Sequence, residues 1–227
     1  MRFGAGTVGN VGQGLTLAAL LTGLMTGCAA EEADPDAASG ESGASATTTA
    51  KVAQRGGSIG ASGSACELPV TFDIAEFWKA EAVDAEGTST ATGDLADLAD
   101  AFLRQGPVTM ACEVDAKPAG KIGFLRVWTG EPGDTDARAV LEDFVAAEQG
   151  ASGARYSTVK AGDITGTEVA YVTTSELLEE TKKEHALAVT TSEGPVVLHL
   201  GGMDTAEHEA MLPAYELAKS TLHTTTG

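Results

Sequence analysis

Apolar and polar residues alternate along two early segments of the chain. In 66–74 and again in 108–114, an apolar residue stands at almost every second position. This period of two is typical of a β-strand with one buried face. Residues 122–129 (IGFLRVWT) have apolar residues at both odd and even positions, which indicates a central strand covered on both sides. The pattern therefore predicts at least three strands in the first part of a folded domain.

Helical periodicity separates and follows these strands. In 94–105 apolar residues recur at i, i+3, i+4, i+7 and i+8, which predicts a helix over one face of a sheet. A second helix is predicted from an Asp134 cap to Gly150. A third closes the chain behind the capping box at 204–207, and Pro213 should break it into a short turn and a main segment.

Further strands are predicted between the second and third helices, bounded by Gly and Pro turn signals. They are Arg155–Ala161, Glu168–Thr174, Lys183–Thr191 and Val196–Leu200. Residues 175–185 combine helical propensity with the rhythm of a hairpin, so a loop with a possible helical turn is expected there. Helices on both faces of a mostly antiparallel sheet give an α+β domain, arranged as a three-layer α/β/α sandwich.

The N-terminus has the features of an export signal. Arg2 precedes an apolar run, Leu15–Met25, which is too short to span a bilayer as a helix. The run ends in Leu24-Met25-Thr26-Gly27-Cys28, which resembles a bacterial lipobox. Residues 1–27 are therefore predicted to be a lipoprotein signal peptide, with Cys28 carrying the lipid. The alternative is an ordinary secretory signal followed by an incidental cysteine.

Composition divides the rest of the chain. Residues 28–65 are rich in Ala, Gly, Ser and Thr and poor in large apolar residues, which predicts a disordered tether. One globular domain is predicted over 66–223, with a short tail at 224–227. The net charge of −19 makes nucleic-acid binding unfavourable, because the surface repels phosphate backbones.

The two cysteines within the folded part are expected to form a disulfide. Cys66 and Cys112 fall on the apolar faces of two predicted strands, and an exported protein meets an oxidising environment. The bond requires the strands to be neighbours, with Cα atoms about 4.4–6.8 Å apart. Two buried free thiols are the alternative.

Motifs for catalysis and metal binding occur without the context that their chemistry needs. The G-x-S-x-G at 56–60 has no apolar flanks, and the S-x-x-K at 157–160 lies in a predicted strand, which separates its Ser and Lys onto opposite faces. The histidines show no zinc-ligand spacing, and they are His185, His199, His208 and His223. His199 is interpreted as a strand histidine with a hydrogen-bonded ring, and His208 as part of an exposed turn. No catalytic residue, metal site or cofactor is predicted.

Aromatic residues and arginine are the candidates for binding a partner, because these residue types dominate binding hot spots when they are partly exposed. The candidates are Trp78, Arg126, Trp128 and Tyr171. The alternative is that Trp128 and Tyr171 fill the core.

The segment Phe72-Asp-Ile-Ala-Glu-Phe-Trp78 and the order of elements from 66 to 223 resemble the Mog1/PsbP-like domain of actinobacterial, Streptomyces-type lipoproteins. The resemblance implies a protein-binding or assembly accessory without catalytic residues. We therefore expect a non-enzymatic lipoprotein anchored on the extracytoplasmic face of the cell membrane, with another envelope protein or a small hydrophobic ligand as its partner. The alternative is a cell-surface hydrolase that uses Ser157 or a histidine.

Overall fold

The computed structural model describes residues 51–84 and 102–225. The predicted signal peptide, Cys28, the first part of the predicted tether and most of the helix predicted at 94–105 lie outside these residues. The last two residues of that helix prediction, Arg104–Gln105, form a strand instead. They do so because the chain turns back at Gly106 and pairs them with the residues that follow.

The described residues form mainly β-strands, together with two α-helices. The strands are β1 (Arg55–Ile59), β2 (Val70–Ala75), β3 (Lys79–Ala82), β4 (Arg104–Gln105), β5 (Val108–Asp115), β6 (Gly123–Thr129), β7 (Ala151–Ala161), β8 (Ile164–Ser175), β9 (Glu180–Thr191), β10 (Gly194–Gly202) and β11 (His223–Thr224). The α-helices are α1 (Ala137–Ala146) and α2 (Thr205–Ser220).

A large antiparallel sheet carries the fold. Its strands lie in the order β3-β5-β6-β10-β9-β8-β7, and β4 pairs with β5. The strands predicted at 108–114, at 122–129 and between 155 and 200 are all present as β5 to β10. The described chain is thus α+β with a mostly antiparallel sheet, as the sequence predicts.

Residues 175–185 form a hairpin, not the predicted loop with a helical turn. Strands β8 and β9 pair up to Ser175 and Glu180, and the four residues between them make the turn. The hairpin forms despite the helical propensity of this segment, because each residue of the two strand ends gains a cross-strand partner, which a single helical turn cannot supply.

A small sheet, in the order β1-β2-β11, corrects two predicted boundaries. The tether is expected to run to residue 65, yet β1 pairs with β2, and Ile59 is only 3% exposed. The tail is expected from residue 224, yet Thr224 pairs with Val70 in β11. Composition misplaces both boundaries because backbone pairing and one buried aliphatic side chain are enough to order a short segment.

The Cys66–Cys112 disulfide is present, with its Cα atoms 6.0 Å apart. Cys66 does not lie in a strand, as the alternation at 66–74 predicts, but in the segment before β2 of the small sheet, whereas Cys112 lies in β5 of the large sheet. The bond therefore joins the two sheets.

Two apolar clusters lie on opposite faces of the large sheet. Alternate residues of β10 show this: Val196, Leu198 and Leu200 belong to one cluster, and Val197 belongs to the other. The first cluster includes Met211 and Tyr215 of α2 together with residues of the small sheet. The second lies under α1. The sheet is consequently covered by α2 and the small sheet on one face, and by α1 on the other.

Both helices differ in detail from the sequence expectation. The cap of α1 is Asp136, whose carboxylate accepts hydrogen bonds from the next turn, and not Asp134. Helix α2 begins at the Asp204 cap and runs through Pro213 without a break. An interior proline costs about 3 kcal/mol of helix stability. The buried face of α2, which includes Met211 and Tyr215, offsets that cost.

His208 is fully buried in α2 and not on an exposed turn. Its Nε2 lies 2.8 Å from Nδ1 of His185, and the two rings stack. Burial, and then the neighbouring His185, lower the pKa of His208 from 6.5 to about 4. The neutral form of this histidine is thus the one that the fold accommodates.

Acid should destabilise the fold through His208. The unfolded chain binds a proton more tightly than the folded chain between pH 6.5 and 4, so the stabilisation is present at neutral pH and is lost as the pH falls through this window. We expect this histidine alone to lower the free energy of unfolding by about 2 kcal/mol between pH 7 and pH 5. Urea denaturation at the two pH values measures the loss.

The matched variant for this test is His208→Gln. The other charged groups that act on this ring are His185, His199, Glu184 and Glu209, and the variant keeps them all. We expect its stability to change less between pH 7 and pH 5 than that of the wild type. An unchanged pH dependence would assign the effect to those neighbouring groups.

Candidate binding groove

An open groove lies beside α1 on the same face of the large sheet. We call it the sheet groove. Side chains of β5, β6, β9 and β10 form its floor, which includes Met110, Glu113, Phe124, Arg126, Trp128, Glu184 and His199. These residues share one face because they stand at alternate positions of their strands, apart from the bulge in β5. The groove encloses about 630 Å³, enough for several side chains of a partner.

The rim of the sheet groove is apolar and exposed. Phe102, Ile122 and Met203 line it, and they are 68%, 54% and 60% exposed. Met203 also lines a neighbouring concavity together with Leu177 and Leu178 of the β8–β9 turn, both of which are exposed as well. Clustered large apolar side chains on a surface mark an interaction site more often than single ones do.

A buried polar cluster lies at the end of the groove nearest α1. The Tyr171 hydroxyl donates a hydrogen bond of 2.5 Å to Glu148 Oε2 and lies 3.1 Å from His199 Nε2. Burial, followed by the charge of Glu148, raises the pKa of Tyr171 far above its ordinary value. Tyr171 therefore remains a hydrogen-bond donor at any physiological pH.

Glu184 is the most enclosed member of this cluster, with no exposed surface. Its Oε1 accepts a hydrogen bond from Thr173 and lies 2.7 Å from Lys182 Nζ, while its Oε2 is 3.3 Å from His199 Nε2 without forming a hydrogen bond. Burial raises the pKa of Glu184, but the interactions with His199 and Lys182 outweigh it, and the pKa falls below its ordinary value. The carboxylate is consequently charged inside the fold.

Packing from α1 holds the cluster in place. The Phe144 ring contacts Trp128 and His199 edge-on, with ring centroids 5.6 and 5.4 Å away. After the helix, Gly150 adopts a positive φ and passes so close to β8 that a Cβ would lie 2.2 Å from the carbonyl oxygen of Thr174. The turn that carries Glu148 can reach the cluster because residue 150 is glycine.

Residues 36–222 match the model of a family described as uncharacterised lipoproteins. The chain belongs to this lipoprotein family. No protein among the curated ones matches the chain. Membership agrees with the lipid attachment predicted at Cys28. In the part of the lipoprotein that the structure describes, neither helix is long and apolar enough to cross a membrane.

The structure separates the four predicted recognition residues of the lipoprotein. Arg126 and Trp128 line the sheet groove, and Tyr171 lies beneath it. Trp128 and Tyr171 are 4% and 3% exposed, so the expectation that they are partly exposed is wrong, and their rings fill the core below α1. Trp78 packs against the other apolar cluster and lies away from the groove.

Arg126 is the member of this set best placed to contact a partner. Its side chain is one-third exposed, and its Nε donates to Glu113 Oε2 over 2.8 Å. The guanidinium also lies over the Phe124 ring, 4.9 Å from its centroid. An arginine held by a carboxylate and an aromatic ring loses little side-chain entropy when a partner binds.

Glu148, Glu184 and Lys182 also contribute to the polar cluster, and no sequence pattern predicts them. The hydrogen-bonded ring predicted for His199 is confirmed by its contact with Tyr171. The pattern of residues does not indicate a role for Glu184, because this residue lies within 175–185, where the secondary structure is ambiguous from sequence. Glu148 lies behind a helix end, where an exposed acid is the ordinary expectation.

The two serine motifs lack a catalytic setting in the lipoprotein. Ser58 lies within β1 and not on a turn between a buried strand and a helix. Its hydroxyl hydrogen-bonds to Arg55 and Asp73. Ser157 is exposed on β7, and Lys160 donates to the carbonyl oxygen of Asp163. Neither serine hydrogen-bonds to a histidine within 51–84 or 102–225.

Proposed function

We propose that this lipoprotein is anchored through Cys28 on the extracytoplasmic face of the cell membrane and acts there as a non-enzymatic accessory protein. The sheet groove is its binding surface, and its partner is another envelope protein. The observation that carries the proposal is the exposed apolar rim of Phe102, Ile122 and Met203 around a floor that contains Arg126.

The groove has the composition of a protein-binding site. Apolar anchors surround a pre-organised arginine, and a wall of rigid β-strands holds both. Such a centre favours a partner that inserts an apolar or aromatic side chain and accepts a hydrogen bond from Arg126. The net charge of −19 favours a partner with basic residues around that anchor.

The arrangement of the polar cluster favours binding over hydrolysis. A hydrolase needs a nucleophile and a base within hydrogen-bond reach in one pocket. His199 contacts Tyr171 and Glu184, and the Tyr171 hydroxyl is strongly held in its protonated form by burial and by Glu148. A phenol with so high a pKa makes a poor nucleophile.

We also propose that the domain is a three-layer α/β/α sandwich of the Mog1/PsbP-like type. Helices α1 and α2 on opposite faces of the antiparallel sheet support this assignment. Strand β2 corresponds to the strand predicted at 66–74, whereas β1 and β11 of the small sheet are additions to the element order expected from sequence.

Substitutions on the groove rim should abolish partner recovery from cells. We expect mild crosslinking followed by pull-down from detergent-solubilised membranes to recover an envelope protein with the wild type. The double variant Ile122→Glu, Met203→Glu should recover at most about a tenth as much, because two buried charges cost several kcal/mol at an apolar interface. Immunoblotting against the recovered protein quantifies the loss.

Val52→Glu provides the matched control. Val52 is also exposed, but the residue beside it bonds to α2 on the opposite face of the sheet. This variant should recover the partner as the wild type does. Equal recovery with all three proteins would contradict the groove assignment, and a groove that takes only an apolar fluorescent dye would favour a small hydrophobic ligand instead.

A further inference from the structure

Three side chains of the types that bind metal ions converge at the inner end of the sheet groove. They are Glu148, Glu184 and His199, and their ligand atoms all lie within 4.8 Å of one another. Each comes from a different element: the turn after α1, strand β9 and strand β10. Residues so far apart in sequence meet only because the sheet places β9 beside β10 and α1 packs above them.

One carboxylate oxygen in this cluster has no hydrogen-bond donor among the described residues. Glu184 is completely buried, yet its Oε2 accepts no hydrogen bond from any residue in the described part of the chain. A buried carboxylate oxygen without a donor costs free energy, and native structures rarely keep one without an explanation such as an ion or a water. Because Oε2 faces His199 Nε2 and not Lys182, the unsatisfied atom points into the cluster.

The groups around the three donors hold them in position. The Tyr171 hydroxyl donates to Glu148, and the Thr173 hydroxyl donates to the other oxygen of Glu184. Carboxylates fixed by hydrogen bonds from neighbouring residues are typical of metal sites, where such contacts orient the ligands. Oε2 of Glu184 lies 3.3 Å from Nε2 of His199, which also lies 3.1 Å from the Tyr171 hydroxyl, so an ion bound through Nε2 replaces that hydrogen bond.

We propose that Glu148, Glu184 and His199 bind one divalent transition-metal ion, such as Zn²⁺ or Mn²⁺, at the inner end of the sheet groove. One imidazole and two carboxylates suit these ions, and three protein ligands leave at least one coordination position for water or a partner's donor atom. Bonds of about 2.0–2.2 Å hold ligand atoms roughly 3–4 Å apart, so the side chains close on the ion with movements of about 1 Å.

The ion has a route into this site. All three ligands line the sheet groove, which opens to solvent beside the exposed rim. Lys182 is the group that opposes the ion, since its ammonium lies 2.7 Å from Oε1 of Glu184. The site is independent of the proposed partner, because every protein ligand belongs to this chain and the ion alone serves as the probe.

Equilibrium dialysis of the purified full chain, stripped with EDTA and exposed to ZnCl₂ or MnCl₂, tests the site. We expect one tightly held ion per chain with at least one of the two metals. His199→Gln and Glu148→Gln should each weaken its binding by at least about 10-fold. Glu148 is less buried than the other two ligands, so its variant retains the fold if the histidine variant does not.

Two further variants distinguish binding at these three ligands from nonspecific attraction of the ion to the acidic surface. Glu113→Gln removes one negative charge from the same groove, but its partner is Arg126, so the dissociation constant should stay within about 2-fold of the wild type. Lys182→Met removes the competing cation and should tighten binding by about 5-fold or more. Absence of saturable binding, equal losses in Glu113→Gln and Glu148→Gln, or weaker binding by Lys182→Met would each overturn the proposal.

Discussion

Replacing both Cys66 and Cys112 by alanine should lower the free energy of unfolding by about 4 kcal/mol. The cysteines are 46 residues apart, and a cross-link that closes a loop of this length removes that much conformational free energy from the unfolded chain in the loop-entropy model. The loss is large beside the roughly 5–15 kcal/mol that stabilises an ordinary domain. Denaturation with urea, followed by circular dichroism, measures it.

The location of the disulfide also predicts which part of the fold loosens when it is removed. Because the disulfide joins the small sheet to β5, its removal should loosen the small sheet first, and amide exchange in β1 and β2 should rise more than in β9 and β10. The wild type without reducing agent is the reference. A loss below about 1 kcal/mol would mean that packing against α2 alone holds the small sheet.

Phe144→Ala should lower the free energy of unfolding by about 3–5 kcal/mol, the usual cost of truncating a fully buried phenylalanine. Phe144 contacts both Trp128 and His199, so the cavity also removes the support beneath the sheet groove. We therefore expect tryptophan fluorescence to shift to longer wavelength in the folded protein, as water reaches Trp128.

The matched variant is Phe144→Leu, which keeps most of the volume and should cost under about 1.5 kcal/mol. Its loss of metal binding and of partner recovery should be small. If both variants destabilise equally, the edge-on aromatic contacts and not the buried volume stabilise this part of the core.

Periodicity in the sequence predicts most of the large sheet. Strands β5 to β10 appear where alternation or a continuous apolar run indicates them, because a sheet buried on one or both faces imposes that pattern directly. The pattern fails where order depends on pairing instead of side-chain burial. Strand β1, rich in glycine and serine, is of this kind, and so is β11 near the end of the chain.

Helix caps and the proline inside α2 show a second limit of prediction from sequence. Asp134 and Asp136 are both acceptable caps, and Asp136 caps the helix whose Val140 and Phe144 pack against the sheet. Pro213 is a strong helix breaker in isolation, yet it is tolerated because the residues on both sides bury their side chains against the sheet. Tertiary contacts of this kind are not visible in a local window of sequence.

The candidate site was only partly predictable, for a related reason. Arg126 and Trp128 stand out by residue type and both lie in the groove. The polar cluster assembles Glu148, Glu184 and His199 across a sheet, and no spacing rule relates residues from three separate elements. The missing information is the strand order, which places β9 next to β10 and so brings Glu184 beside His199.

The most direct test of the central claim places a photo-crosslinking amino acid at single positions of the lipoprotein in living cells. From Met203 on the groove rim, irradiation should join the lipoprotein to one envelope protein, and the same residue at Val52 on the opposite face should yield no such product. A product that forms from position 52 and not from position 203 would contradict the account and move the binding surface to the face covered by α2.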